Sequence, residues 1–400
     1  MNNNKCVRNL LWGILSYYIC SNILILYIPR TICAVLDLLC IITILYSFVR
    51  APKRSLNTDL DVKIVYSFFL IWGLGIALRG LLSYNNFLDM RECITSSEAF
   101  LTYLLPFIFF LKVDYNLFYY LKKIGFICLL LGLLFFCLNI NDLFLHAQEF
   151  YAELITSDIE GKYLILGRCG VQSALAFPLF LFYIGGYFRK KEQYFFLACF
   201  ILSIVTVAYA GRRGGIATLL LYLFAPYFIK LKIKKLFFLL LSISIIYYYG
   251  IDYLENSFSI LSNRMYDDTR TWAEMEFYKG MSYTDWLFGK GSTGTFYSPA
   301  FGTKRNVIET GYLHLALKGG IFYSIAWVYL LCVSFIKGLF AHSQMVRVMS
   351  FYIFPFIPGL YLFGHPVLDF SFFILWICII CCNSSKIRNS GINLLKSMNG

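Results

Sequence analysis

One stretch of apolar residues indicates whether the fold is surrounded by lipid or by water. Residues 31–49 read TICAVLDLLCIITILYSFV, and Asp37 is the only charged residue between Arg30 and Arg50. An α-helix needs about 20 mainly apolar residues to cross the hydrocarbon core of a bilayer. The stretch therefore predicts a transmembrane helix rather than a helix of a soluble domain.

The composition of the whole chain agrees with this stretch. Hydrophobic residues make up 59% of the 400 residues and charged residues 14%, whereas soluble domains have about 45–50% and about 25%. The sequence therefore predicts an all-α integral membrane protein, with residues 1–400 forming a single polytopic domain of about twelve transmembrane helices. The candidate spans are residues 10–28, 31–49, 64–82, 98–111, 124–140, 171–188, 194–210, 214–229, 236–251, 311–336, 348–363 and 370–382.

The basic residues predict the orientation of these spans. Cytoplasmic loops carry an excess of Lys and Arg, and placing both termini inside puts more than half of the 35 basic residues in cytoplasmic segments. The net charge of +13 then reflects topology rather than nucleic-acid binding. Most of the thirteen cysteines lie in apolar runs as small hydrophobic residues, and their spacing indicates no metal site.

Two long segments are expected on the extracytoplasmic side. Residues 252–310 form the longer loop, between the ninth and tenth spans, and residues 141–170 form a second, shorter loop. Both contain stretches with the apolar spacing of amphipathic helices. In the longer loop, Thr271 and Glu274 have the spacing of a capping box, and Gly280 is the predicted end of the helix that follows.

Glycines at positions 289, 291 and 294 match the pattern G-x-G-x-x-G. A dinucleotide site needs this pattern between a strand and a helix of a βαβ unit, and an all-helical membrane chain does not supply that context. Two interpretations remain open. The glycines form either a purely structural tight turn or a turn whose backbone N–H groups face an anion.

Arginines recur at the expected outer ends of the spans. Arg79 and the neighbours Arg212 and Arg213 oppose the orientation rule, so they need a separate reason. The forked guanidinium group suits phosphate oxygens, and we expect these arginines to bind a lipid-linked phosphate or pyrophosphate. Anchoring at the lipid–water interface by snorkelling is the alternative.

A second group of ionisable residues lies where the tenth span enters the bilayer. Glu309 is at its mouth, and His314 and Lys318 follow one helical turn apart. Ionisable groups at that depth are costly and usually serve a site or a partner. Snorkelling towards the interface is the alternative for Lys318.

Three stretches resemble the O-antigen polymerase and O-antigen ligase superfamily of bacterial membrane glycosyltransferases. Residues 211–215 (GRRGG) resemble the element that opens a span before the family's long loop. Residues 264–272 with 287–291 resemble its Arg…Trp…F-G-x-G region, and residues 308–321 resemble its closing element. The resemblance implies transfer of a glycan from polyprenyl diphosphate to an acceptor sugar hydroxyl at the outer face of the cytoplasmic membrane, with no cofactor and no metal.

The resemblance also implies roles for single residues and identities for partners. Arg79, Arg212, Arg213 and Arg270 would bind the pyrophosphate. The family's His-Asn pair is replaced here by Glu309 and Thr310, so Glu309 is the expected general base and His314 the competing one. The implied partners are a polyprenyl-diphosphate-linked oligosaccharide, membrane lipid and a chain-length regulator protein.

The expected function is therefore polymerisation of the repeat units of an O-antigen or a capsule. An O-antigen ligase is the nearest alternative because it uses the same donor, although the replacement of the family's histidine disfavours it. A polysaccharide flippase or exporter is the alternative from another class. It would need charged residues along a transport path, whereas the ionisable residues here gather at one face.

Overall fold

The computed structural model describes residues 3–22, 24, 28–52, 59–82, 101–113, 115–138, 194, 197–198, 269–298, 303–308, 310–358 and 370–389. This part of the chain is mostly helical. The chain forms two compact units, Met1–Phe126 with Trp272–Gly400, and Ile127–Thr271. The predicted loop 141–170, the predicted spans 171–188, 214–229 and 236–251, and nearly all of the span 194–210 lie outside the described residues.

The described elements follow one another in this order along the chain: α1 (Asn3–Asn22), α2 (Arg30–Arg50), α3 (Leu60–Leu82), a 3₁₀ helix (Leu101–Phe110), α4 (Tyr115–Leu138), α5 (Thr269–Gly280), α6 (Tyr283–Phe288), β1 (Phe296–Ser298), β2 (Thr303–Arg305), α7 (Gly311–Leu339), α8 (Gln344–Ile353) and α9 (Phe370–Asn383). The two strands pair antiparallel, with Phe296 opposite Arg305.

Three described helices are long and apolar enough to cross a membrane. They are Thr31–Arg50, Leu60–Leu82 and Gly311–Leu339, which overlap the predicted spans 31–49, 64–82 and 311–336. Large apolar side chains of α2 are 43–73% exposed, among them Val35, Leu38, Ile42, Leu45 and Val49. Because so continuous an apolar face is unusual in contact with water, these helices support the predicted membrane character.

Two of the predicted spans correspond to short described helices. The run 98–111 contains a 3₁₀ helix of 10 residues, and the run 370–382 corresponds to α9, which has 14 residues. Each is about 20 Å long, which falls short of a hydrocarbon core of about 30 Å. Residues 372–382 of α9 are buried throughout, so α9 is a core helix apolar on all its described sides.

A break at Gly320 divides α7. Its φ of 79° and ψ of 176° are non-helical and separate residues 311–319 from residues 321–339. The Ser324 hydroxyl donates to the Tyr312 carbonyl at 3.1 Å, although these residues would lie about 18 Å apart in a straight helix. The short half therefore folds back on the long half, and residues 321–339 remain as a helical segment of about 28 Å.

An aromatic core joins α3, the 3₁₀ helix, the long half of α7 and α9. The rings of Phe69, Trp327 and Trp376 meet edge to face, with centroids 5.2–5.9 Å apart. Tyr66 stacks on Phe109 with ring centroids 3.9 Å apart. Edge-to-face and offset ring contacts stabilise such a core beyond the burial of apolar area.

A charged cluster ties the beginning of α3 to the end of α7. The Lys337 ammonium lies 2.8 Å from an Asp59 oxygen and 3.1 Å from an Asp61 oxygen, and the Arg388 guanidinium lies 3.8 Å from Asp59. These four residues therefore lie at one end of the helices. The charge pattern of the sequence predicts that all four lie on the cytoplasmic side of the membrane. Their meeting at one end of the helices agrees with the prediction that they share a side.

Candidate functional site

A small hydrophobic core joins the start of α7 to much of the predicted 252–310 loop. Its buried members are Phe277, Met281, Phe296, Ile308 and Leu317, with Trp286 and Leu313 packed against them. We call the described residues from 272 to 320 the α5–α7 module. Part of the segment predicted as a loop is thus helical and shares its core with the predicted tenth span.

The helix starts in this module differ from the predicted ones. Because α5 begins at Thr269, Thr271 is inside the helix and the predicted capping box of Thr271 and Glu274 is wrong. Glu274 instead accepts a hydrogen bond from the Thr310 hydroxyl, at the residue that precedes α7. The predicted end of α5 at Gly280 is confirmed.

The capping box of the module belongs to α6. The Ser282 hydroxyl accepts from the Asp285 N–H at 3.2 Å, and an Asp285 oxygen accepts from the Ser282 N–H at 3.1 Å. Burial disfavours the carboxylate, but hydrogen bonding to it from the Ser282 side chain and backbone N–H, together with Lys290, 3.7 Å away, outweighs burial and holds the pKa of Asp285 below its usual value. Asp285 therefore stabilises the start of α6 as an anion.

The glycine-rich turn caps the short half of α7. The N–H groups of Lys290 and Gly291 donate to the carbonyls of Leu317 and Lys318, at 2.7 and 3.0 Å. The Ser292 N–H donates to the Ile76 carbonyl of α3 at 3.1 Å. The last carbonyls of a helix have no partner within it, so the turn supplies the missing donors. Of the two open interpretations, the structural turn is confirmed, because protein carbonyls occupy these N–H groups.

Two glycines make this close approach possible. Gly289 has a φ of 72° and Gly320 a φ of 79°, in the region that favours glycine. A Cβ on Gly289 would lie 2.3 Å from the Lys318 carbonyl oxygen, and one on Gly320 would lie 2.1 Å from that of Leu287. The turn and the helix break therefore depend on each other.

Arg79 is the predicted phosphate-binding residue whose contacts the structure describes. It lies near the end of α3, and its Nη1 donates to the carbonyls of Phe288 and Gly289, both at 2.8 Å. The side chain is exposed. Among the described residues, no partner engages its Nε or Nη2. Arg79 thus holds the turn with one nitrogen, and its other donors have no partner among the described residues.

The other predicted site residues fall into two groups. His314 and Lys318 lie on the short half of α7 and are 1% and 2% exposed, and the Lys318 ammonium donates to the Gly294 carbonyl at 2.8 Å. Arg270 lies in the first turn of α5, with its side chain outside the description. Glu309, Arg212 and Arg213 lie outside the described residues. The structure thus joins Arg79 to the helix that carries His314 and Lys318.

Two contacts of the site are not predicted from the sequence. Trp72 stacks on Phe288, and its Nε1 donates to the Gly319 carbonyl at 2.7 Å. Glu274 holds Thr310, as described above. The adjacent glycines 319 and 320 in an apolar run were the available signal for a break that needs such partners. Within the described part, no group of three or more His, Cys, Asp or Glu residues could hold a metal ion.

No protein-family profile, curated protein or solved structure matches the chain.

Proposed function

We propose that this protein is a membrane glycosyltransferase that polymerises the repeat units of a bacterial surface polysaccharide, an O-antigen or a capsule. Its donor is an oligosaccharide on polyprenyl diphosphate, and the reaction takes place at the outer face of the cytoplasmic membrane. The sequence resemblance in residues 211–215, 264–272 with 287–291, and 308–321 suggests this chemistry. The three helices that are long and apolar enough to cross a membrane fit an enzyme whose donor is anchored in the bilayer.

The observation that carries the proposal is the arrangement of Arg79. One of its nitrogens is fixed by two backbone carbonyls, so the guanidinium group is positioned before any ligand arrives. The remaining donors match the paired oxygens of a phosphate. Because Arg79 is near the end of a candidate span, such a phosphate would lie near the membrane surface, where a polyprenyl diphosphate carries its head group.

The proposed reaction exchanges one bond to the anomeric carbon for another. The bond between the donor's anomeric carbon and the diphosphate oxygen breaks, and a bond from that carbon to the acceptor oxygen forms. Polyprenyl diphosphate leaves with the bonding electrons. Cations beside the leaving group stabilise the charge that develops on it, a role we assign to Arg79, Arg212, Arg213 and Arg270.

A general base takes the proton of the acceptor hydroxyl, and we assign this role to Glu309. It directly precedes Thr310, which Glu274 holds by a hydrogen bond. His314 is the competing base, and its burial at 1% exposure argues against direct contact with an acceptor sugar. A carboxylate within reach of the hydroxyl is sufficient for general-base catalysis.

A polysaccharide flippase or exporter is the second candidate, and the break in α7 is the observation that favours it. Discontinuous membrane helices line the substrate and ion sites of many transporters, where unpaired backbone groups bind the cargo. Here, however, the carbonyls of Leu317, Lys318 and Gly319 all accept hydrogen bonds from protein donors. The break therefore does not offer those carbonyls to a cargo, which favours the transferase.

Complementation of a strain that lacks its repeat-unit polymerase tests the proposal. The chain is expected to restore a full glycan ladder on a gel, and Arg79→Ala at equal protein level is expected not to. A single-repeat band with the intact chain would contradict polymerisation. Loss of the ladder together with accumulation of lipid-linked polymer in a deletion strain would instead identify a ligase.

A further inference from the structure

A groove runs between α1 and α2, in a part of the chain that the proposed reaction does not use. Its volume is about 460 Å³. The residues that line it include Arg8, Asn9, Trp12, Ser16, Leu39 and Thr43. Arg8, Trp12 and Ser16 follow at intervals of one helical turn, so they form one stripe along α1. The groove therefore has a cation at one end and a mixed polar and apolar floor.

The polar groups of this groove are available to a ligand. Within the described part of the chain, Arg8, Asn9 and Ser16 have no hydrogen-bond or ion-pair partner. Polar groups without partners in a hydrocarbon environment cost free energy, and a cation near it requires a counter-charge or water. A ligand that occupies the groove has to supply hydrogen-bond acceptors along its length and an anion beside Arg8.

The surroundings restrict the ligand to an amphiphile. The α2 wall of the groove belongs to a candidate membrane span, and its neighbours Leu38, Leu39 and Ile42 are more than 40% exposed. A ligand in such a groove has acyl chains beside it along the α2 wall. A lipid of the adjacent leaflet enters it sideways, with its head group at the interface.

We infer that the groove binds one acidic glycerophospholipid. The phosphate lies against Arg8, whose forked donors match its oxygens. The glycerol ester oxygens accept hydrogen bonds from Asn9, and an acyl chain follows Trp12 and Leu39 towards Ser16. The interval from Arg8 to Ser16 is about 12 Å along the helix, which accommodates the phosphate, the glycerol and the upper acyl chain.

Quenching of tryptophan fluorescence by brominated lipids tests this inference. The full chain and its Trp12→Phe variant are reconstituted in phosphatidylcholine, and brominated phosphatidylglycerol or brominated phosphatidylcholine is added in steps. The difference between the two proteins isolates the emission of Trp12. We expect the acidic lipid to half-quench that emission at a mole fraction about fivefold lower than phosphatidylcholine does. This factor is the preference that one basic residue gives for an anionic lipid.

Two matched variants locate the preference at the groove. Arg8→Gln is expected to abolish the preference for the acidic lipid. Quenching by brominated phosphatidylcholine is expected to stay unchanged in this variant, which would show that α1 and α2 still pack together. Lys5→Gln, an exposed residue of the same helix that does not line the groove, is expected to retain the preference. Equal half-quenching by both lipids, or equal losses in the two variants, would overturn the inference. Displacement of the acidic lipid by inorganic phosphate would do the same, since a free anion would then be the ligand.

Discussion

Replacing Gly320 with alanine perturbs the contact on which the α5–α7 module depends. The added Cβ would lie 2.1 Å from the Leu287 carbonyl oxygen, 2.5 Å from its carbon and 2.7 Å from the Phe288 nitrogen. All three atoms belong to the backbone, so no side-chain rotation relieves the clash. The glycine-rich turn has to move away from the end of the short half of α7.

The size of the effect follows from what that movement breaks. Holding a non-glycine residue at a φ of 79° costs about 1–3 kcal/mol. The hydrogen bonds from Lys290 and Gly291 to the helix end contribute about 1 kcal/mol each. The total of about 3–5 kcal/mol corresponds to a decrease in apparent Tm of roughly 10 °C.

Thermal unfolding in detergent, followed with a thiol-reactive dye, measures this decrease. Buried cysteines of α9, such as Cys378 and Cys382, become reactive only when the core opens. Gly75→Ala in α3 is the matched control, because nothing lies within 4 Å of its Cβ position, and its Tm is expected to stay equal or rise slightly. If Gly320→Ala also retains the Tm of the unaltered protein, the described break in α7 is wrong.

Four further predictions concern the site. Arg79→Lys keeps the charge but loses the forked geometry, so transfer is expected to fall by up to roughly 10²-fold; normal glycan length at equal protein level would show that Arg79 only holds the turn. Glu309→Gln is expected to lower transfer by roughly 10²–10⁴-fold with donor binding intact; activity in this variant with none in His314→Ala would move the base to the histidine. The folded-state pKa of Asp285 is lowered, so its contribution to stability is present above about pH 4 and is lost as the pH falls through that pKa; the Tm is expected to fall less on acidification in Asp285→Asn than in the unaltered protein. Ser298→Cys in a cysteine-depleted chain is expected to react with a membrane-impermeant reagent in intact cells, and labelling only after permeabilisation would reverse the orientation.

The helices α2 and α3 illustrate what the sequence predicts well. Each is a continuous apolar run with basic residues at its ends, and the observed bounds Arg30–Arg50 and Leu60–Leu82 lie within a few residues of the predicted ones. Hydrophobicity over about 20 residues is a local property, so it can be read without tertiary contacts. The turn at the glycines 289, 291 and 294 was predicted for the same reason, since tight turns depend on local backbone freedom.

The break in α7 illustrates what the sequence does not reveal. The run 311–336 is apolar throughout, and its division at Gly320 depends on contacts with Leu287, Lys290 and Trp72, which are distant in the sequence. The role of Glu274 is equally non-local. Its spacing from Thr271 fits a capping box, but its partner is Thr310.

The most direct test of the proposed polymerisation uses membranes from a strain in which the gene has been deleted. Such membranes are expected to accumulate polyprenyl diphosphate carrying a single repeat unit, which serves as the natural donor. Addition of the purified protein is expected to yield a mass-spectrometric ladder of two and more repeats on the lipid, together with released polyprenyl diphosphate. A donor that stays at one repeat unit after addition of folded protein would contradict the account.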